Sequence, residues 1–295
     1  MLLKKYKIEF INQLSFLNDE GEAESFFYLI LENLHQLKRI DLALQPNLEL
    51  SDVNYKKWEK IVSEIKTNKP IQYILGETEF YGLEFKVNKY TLIPRPETEE
   101  LVALILTDLR SLQPLKSNLH LLDIGTGSGC IAISLAKNLP NAMVSAIDVS
   151  DKALEMAEKN AESNSVEVNF ILADILSLND LSQLAVHNSQ FATKFDVIVS
   201  NPPYVRNLEK HEIKPNVLEF EPHLALFVED NDALLFYRKI TELALENLSE
   251  NGRLYFEINQ YLGKETVELL EKLGFKNIEL KKDIYGNDRT ISCRK

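Results

Sequence analysis

Three patterns of apolar and polar positions divide this chain of 295 residues. Over the first 75 residues apolar side chains recur every three to four positions, as in Phe27, Ile30, Leu31, Leu34 and Leu37, and again in Trp58, Ile61, Val62 and Ile65. That spacing marks one face of a helix, and Pro46 and Pro70 punctuate the stretches. Residues 1–75 therefore predict a small helical bundle, with neither a glycine-rich turn nor a carboxylate cluster to suggest chemistry. Residues 76–93 change character: positions 79–87 read as two short strands around Gly82, a β-hairpin linker. Ile93-Pro94-Arg95-Pro96-Glu97-Thr98 then forms a proline-stiffened loop before an apolar-periodic helix at 101–109, which Glu97 or Thr98 is expected to cap.

From His120 onward strand-like and helix-like periods alternate. Strands are predicted at 119–124, 142–148, 167–173, 195–200, 252–258, 275–281 and 289–294, and helices at 130–138, 151–163, 231–249 and 263–273. Such alternation builds βαβ units with right-handed crossovers, hence a mainly parallel sheet covered by helices on both faces. Residues 94–295 are thus expected to form one α/β, Rossmann-like domain of seven strands.

Two segments in that domain carry chemistry. The apolar run Phe195-Asp196-Val197-Ile198-Val199-Ser200 ends at Asn201-Pro202-Pro203-Tyr204. Proline donates no ladder hydrogen bond and restricts the residue before it, so the strand must stop there. In an open α/β sheet, ligands bind beyond such carboxyl ends. An amide side chain, a carbonyl outside any helix and an aromatic ring suit a planar NH2 group, gripped by acceptors in its plane and covered on its face.

The second segment is Asp123-Ile124-Gly125-Thr126-Gly127-Ser128-Gly129, a strand end followed by a glycine turn and a helix start. Glycines permit positive φ and close ligand approach. Asp148 stands 19 residues beyond Gly129, suited to two ribose hydroxyls. The spacing is G-x-G-x-G, not the G-x-G-x-x-G of dinucleotide sites, and a pyrophosphate gains nothing from the adjoining carboxylate of Asp123. S-adenosylmethionine carries an amino group and a sulfonium, so the acidic turn favours it over NAD. Asp174, followed by Ile175, is placed at the adenine, and Asn201 joins the cofactor residues from the fourth strand. The domain then reads as a class I S-adenosylmethionine-dependent methyltransferase.

Composition narrows the partners. The formal net charge of −12 argues against broad adhesion to nucleic acid but leaves room for a basic protein partner. Two cysteines form no disulfide framework, and the scattered histidines match no zinc spacing, so no metal is expected. No signal-peptide core or membrane span is apparent, which predicts a soluble cytoplasmic protein. Cys130 and Trp58 are assigned to packing, and His211 and His223 to surface or packing positions.

Several motifs together carry a more specific likeness. Pro70-Ile71-Gln72-Tyr73-Ile74-Leu75-Gly76, Phe80-Tyr81-Gly82, Leu92-Ile93-Pro94-Arg95-Pro96-Glu97-Thr98-Glu99, the glycine turn, Asn201–Tyr204 and Glu221-Pro222-His223-Leu224-Ala225-Leu226-Phe227 occur in that order, with Phe236-Tyr237-Arg238 and Asp288-Arg289 after them. From about residue 70 to the end, the chain resembles the HemK-type protein-(glutamine-N5) methyltransferases of peptide-chain release factors. The resemblance implies that the substrate is the glutamine of the Gly-Gly-Gln loop in class I release factors, and that the N-terminal bundle helps to dock the factor. It maps Asp123, Gly125, Thr126, Gly127, Ser128, Gly129, Asp148, Asp174 and Ile175 to the cofactor. Asn201, Pro202, Pro203 and Tyr204 map to the glutamine amide, and Arg95, Pro96, Glu97 and Thr98 to a loop over the active site. A monomer needing no nucleic acid is expected. Two alternatives stay open: an adenine N6 or guanine N2 methyltransferase acting on nucleic acid, and a binding module without turnover. The chain departs from the family at Val228-Glu229-Asp230-Asn231-Asp232 and at Glu257-Ile258-Asn259-Gln260, where glycines are more usual.

Overall fold

A computed structural model describes residues 1–15, 19–111, 118–185 and 191–295. The chain divides into two compact units, residues 1–76 with 215–220, and residues 77–214 with 221–295.

The first unit is helical: α1 (Leu3–Leu14), α2 (Glu20–His35), α3 (Arg39–Leu44), α4 (Asp52–Ile65) and α5 (Ile71–Leu75). Asp19 and Ser51 start α2 and α4 by accepting from the amides of Glu22 and Asn54, satisfying donors that have no partner within a helix. Tyr6, Phe10, Phe27, Ile30 and Trp58 are fully buried. Trp58 meets Phe10 and Phe27 at centroid separations of 5.6 and 4.9 Å, and its Nε1–H donates to His35 Nε2 at 2.9 Å. A buried indole with its polar edge satisfied is the packing role expected of it.

The second unit opens with β1 (Glu77–Phe80) and β2 (Leu83–Lys86), paired antiparallel around a turn in which Tyr81 and Gly82 both have positive φ. Then follow α6 (Pro96–Ser111), β3 (His120–Ile124), α7 (Cys130–Asn138), β4 (Met143–Asp148), α8 (Asp151–Ser163), β5 (Asn169–Leu172), α9 (Ser182–Ala185), β6 (Phe195–Ser200) and β7 (Val205–Arg206). The chain continues through α10 (Pro215–Phe220, grouped with the first unit), β8 (Phe227–Val228), α11 (Leu235–Asn247), β9 (Leu248–Glu257), α12 (Gly263–Lys272), β10 (Lys276–Lys282) and β11 (Asp288–Arg294).

Seven strands form one sheet in the order β10-β11-β9-β6-β3-β4-β5. The pairs β9/β6, β6/β3, β3/β4 and β4/β5 are parallel, whereas β11 runs antiparallel to both of its neighbours. Successive strand residues face opposite sides, so Leu121, Val197 and Val199 join one core while Leu122, Ile198 and Leu254 join the other. Burial on both faces is why these strands read as unbroken apolar runs. The first core takes in α6, α7 and the hairpin side chains Phe80 and Phe85; the second takes in α11 and α12.

Several elements depart from the periodicity: the helix expected at 231–249 runs Leu235–Asn247 after a 3₁₀ turn, and the strand expected at 252–258 runs Leu248–Glu257. Helix α6 begins five residues ahead of 101, at Pro96, where a missing amide costs nothing. Between residues 201 and 230, β7 and β8 pair as a two-residue parallel ladder around 3₁₀ turns, pieces too short to leave a period in the sequence. No helix among the described residues is long and apolar enough to cross a membrane.

Candidate active site

The side expected to hold the cofactor is built from main chain at the tips of β3 and β4. Gly125, Gly127 and Gly129 have φ of 76°, 57° and 81°, values open to glycine and strained for other residues. A Cβ on Gly125 or Gly127 would meet nothing within 4 Å, but one on Gly129 would lie 2.8 Å from Ile133 Cδ1 and 3.1 Å from Ala157 Cβ. The first two glycines keep the turn open to a ligand, while Gly129 lets α7 pack against α8. Amides of Gly125 and Thr126 donate to the Ile147 carbonyl at 2.8 and 3.0 Å, and the Gly127 amide donates to Asp148 Oδ2 at 2.8 Å.

Two buried carboxylates face this turn. Asp123 Oδ2 accepts from Thr126 Oγ1 at 2.7 Å, while its Oδ1 is buried with no hydrogen-bond partner. Burial, with a smaller contribution from the charge of Asp148, pushes the Asp123 carboxyl up to about 7. Asp148 is also raised by burial, against opposing amide hydrogen bonds from Ser150 and Gly127. Asp174, beyond β5, is exposed, and its Oδ1 accepts from the Leu176 amide at 2.9 Å.

The side expected to hold the methyl acceptor is built from side chains at the tips of β6 and β9. Ser200 Oγ donates to the Ile124 carbonyl at 2.6 Å, tying the end of β6 to the end of β3. Asn201 Nδ2 donates to Thr98 Oγ1 at 3.3 Å, and Thr98 Oγ1 donates to Glu257 Oε2 at 2.6 Å. Thr98 thus lies inside the first turn of α6 with its hydroxyl committed to another segment, which corrects the capping expectation for it. Tyr204 OH donates to Glu257 Oε1 at 3.1 Å, and burial lifts that phenol far above its ordinary range. Glu257 is itself raised by burial, against opposing effects from the Thr98 hydroxyl and the Arg289 charge.

A cavity of about 420 Å³ joins the two sides. Arg95, Thr98, Gly125, Thr126, Gly127, Ser128, Asp148, Asp174, Ile175, Asn201, Pro202 and Pro203 line it; Pro96, Glu97, Asp123, Gly129 and Tyr204 do not. Asp123 and Gly129 lie beneath the turn, and Tyr204 packs against the second core with its hydroxyl on Glu257. Arg95 Nη2 donates to the buried Glu221 Oε1 at 2.5 Å, and the Ile93 amide donates to Oε2 at 3.2 Å, anchoring the proline loop. Tyr90, Leu92, Leu224 and Phe236 add apolar wall that periodicity does not single out, and Cys130 also lines the cavity, its thiol pushed up to about 12 by burial. Apart from its place in the motif Glu221-Pro222, Glu221 carries no signal in the sequence, and Glu257 stands out only within a departure from the family.

The other departures supply side-chain anchors. Asn259 Nδ2 donates to the Tyr204 carbonyl at 2.9 Å and to Glu209 Oε2 at 2.8 Å. Asp230 Oδ1 accepts from the Leu208 amide at 3.0 Å, and Asp232 takes a bidentate pair from Arg238.

The donor set fits S-adenosylmethionine. A buried carboxylate oxygen without a partner, just beneath the turn, suits an ammonium group, an unobstructed glycine turn admits close approach, and the two carboxylates in the cavity wall, Asp148 and Asp174, would repel a pyrophosphate. This sheet order and site define a class I S-adenosylmethionine-dependent methyltransferase. Solved structures share the fold: a methyltransferase from Pyrococcus furiosus (TM-score 0.50, 20% identity, covering 79% of this chain and 96% of that one), and the hMettl16 catalytic domain (TM-score 0.55, 16% identity, 84% and 82%). The chain belongs to the release factor glutamine methyltransferase family. It is 65% identical over 291 residues to the release factor glutamine methyltransferase of Flavobacterium psychrophilum, covering 99% of this chain and 98% of that one. The enzyme so named in Bacteroides thetaiotaomicron is 42% identical over 93% of each chain. Residues 115–274 match the methyltransferase domain model, and residues 11–76 match the PrmC N-terminal domain model.

Proposed function

We propose that this enzyme methylates the side-chain amide nitrogen (N5) of the glutamine in the Gly-Gly-Gln motif of class I release factors. The observation that carries the reading is the shared cavity: Asn201, Pro202 and Pro203 line the same space as the glycine turn, and Ser200 joins the two strand tips. The family relatives are named for methylation of a release factor glutamine, which supports the reading.

An amide nitrogen is a poor nucleophile because its lone pair is delocalised, so the site must supply orientation before acid–base chemistry. Asn201 Oδ1 and the Pro202 carbonyl accept the two N–H bonds of the substrate amide. They hold it in one plane, draw density onto nitrogen, and stabilise the positive charge that builds there more strongly than the neutral ground state. Pro203 and the apolar cavity wall exclude water, and Tyr204 braces the loop through Glu257. Asp123 would hold the amino group of S-adenosylmethionine, Asp148 the ribose hydroxyls, and Asp174 with Ile175 the adenine, between Gly125, Thr126, Gly127, Ser128 and Gly129. The cofactor would supply an electrophilic methyl group on a sulfonium, with a neutral thioether as leaving group, and the amide nitrogen then loses one of its two protons to solvent. Of the four residues expected in a loop over the acceptor, only Arg95 precedes α6; Pro96, Glu97 and Thr98 form its first turn, and Arg95 and Thr98 are the two that reach the cavity.

Residues 1–75 act as the docking domain for the release factor, residues 76–93 as the hairpin linker, and residues 94–295 as the catalytic domain. The enzyme works as a cytoplasmic monomer and requires no nucleic acid. A net charge of −12 supports the last point, since phosphate binding demands basic surface. Incubation with labelled S-adenosylmethionine and a mixture of purified release factor, ribosomal RNA and DNA tests the reading. Label is expected on the factor alone; label on nucleic acid with none on the factor would reject it.

A further inference from the structure

Glu257 sits at the end of β9, nearly inaccessible and outside the cavity wall. Its two oxygens accept from Thr98 Oγ1 and Tyr204 OH. A carboxylate has no proton to give, so both hydroxyls must aim their hydrogens at it. Thr98 Oγ1 therefore turns only lone pairs toward Asn201, whose Nδ2 donates to it at 3.3 Å. The nitrogen end of the Asn201 amide is thereby held on Thr98, and the oxygen end is left for the cavity. Two residues along, Asn259 pins the Tyr204 carbonyl, so the same strand end fixes both main chain and side chains of the Asn201–Tyr204 segment.

We propose that Glu257 is a positioning residue for transfer to an amide: through Thr98, it sets which end of the Asn201 side chain faces the acceptor nitrogen. With the amide reversed, Asn201 would present NH2 to NH2, donor against donor, and the acceptor would lose a partner for its own N–H. The inference rests on the amide-acceptor reading above.

The test is kinetic and uses the full-length enzyme, S-adenosylmethionine and an intact release factor. Glu257→Gln keeps the shape but lets an NH2 donate to Thr98, freeing the Thr98 hydrogen to turn toward Asn201. Thr98→Val removes the relay, and Thr98→Ser restores it. Glu257→Gln and Thr98→Val are each expected to lower kcat on the order of 10–100-fold, the loss typical of a hydrogen bond to a charged group. KM for S-adenosylmethionine should stay within about threefold in each, because the glycine turn and its aspartates are untouched, and Thr98→Ser should stay within about threefold of wild type, because serine keeps the hydroxyl that links Asn201 to Glu257. The double variant should fall no more than about threefold below Thr98→Val alone, as expected of residues acting in series. Wild-type kcat in Glu257→Gln, or losses that multiply in the double variant, would overturn the assignment. If Glu257→Gln fails to bind cofactor and does not fold, the Thr98 pair decides: a slow valine with a competent serine supports the relay, and equal rates refute it. Should wild type leave the glutamine unmodified, the functional reading fails first and the inference falls with it.

Discussion

The two halves of the cavity are made by opposite means. At β3 and β4 the chain uses main chain: three glycines at positive φ, amides turned inward, and aspartates at strand ends. At β6 and β9 it uses side chains relayed across distant segments: Asn201 to Thr98 to Glu257, with Tyr204 on the other carboxylate oxygen. The first half must admit a cofactor whose groups are always the same, and a backbone cradle cannot rotate away. On the proposed function the second presents an acceptor oxygen in one of two nearly isosteric orientations of an amide, and a directional hydrogen-bond chain is what would distinguish them. A glycine turn sets shape; a carboxylate–hydroxyl–amide relay sets polarity.

If that division holds, damage to the two halves separates into different observables. The largest effect belongs to the acceptor side: Asn201→Ala should lower the single-turnover rate by about 10²–10³-fold, as for loss of one preorganised transition-state contact, while the Kd for S-adenosylmethionine stays within about threefold. A rate within a few-fold of wild type would remove Asn201 from the mechanism. Next, Gly129→Ala should reduce the unfolding free energy of the full chain by about 2–3 kcal/mol in urea titration, since it adds a strained φ and a contact 2.8 Å from Ile133. Unchanged stability would mean that the turn tolerates a side chain and that its shape is not imposed by glycine.

A smaller effect falls on cofactor binding. Asp123→Asn should weaken S-adenosylmethionine about 10–30-fold, the loss of a charge-assisted hydrogen bond. The accompanying pH dependence has a definite sign. The Asp123 carboxyl lies at about 7 when no cation faces it. Acidification below that value protonates it and removes the charge that attracts an ammonium group, so wild-type affinity should fall as pH drops and level off above neutrality. Calorimetric titration across this range checks both statements; the Asn variant should show a flat profile, and a flat wild-type profile would detach Asp123 from the amino group.

The same division governs how much of the molecule is legible in its sequence. The cofactor turn is contiguous, Asp123 to Gly129, and its conformational demand is written in residue type, since glycine at alternate positions has few other uses. The parallel strands are equally plain, because burial on both faces leaves unbroken apolar runs such as Val197-Ile198-Val199. The relay is not legible. Thr98 and Glu257 are 159 residues apart and Asn201 and Thr98 are 103 apart, so neither contact leaves a local pattern. Local reasoning even gives Thr98 a nearby task, capping α6, whereas Pro96 begins that helix and the hydroxyl serves Glu257. Asn259 illustrates the same limit. In sequence it is a missing glycine; in the fold its amide fastens the Tyr204 carbonyl to Glu209.

In the proposed mechanism the acceptor is an amide nitrogen held in its plane by Asn201 and Pro202. Tandem mass spectrometry of an intact release factor after one turnover tests it directly, using fragments that locate the methyl group to an atom class within the residue. A single methyl is expected on the side-chain nitrogen of the glutamine in the Gly-Gly-Gln loop, and none when that glutamine is replaced by glutamate. A methyl on a lysine, a main-chain nitrogen or a carboxylate oxygen would contradict it.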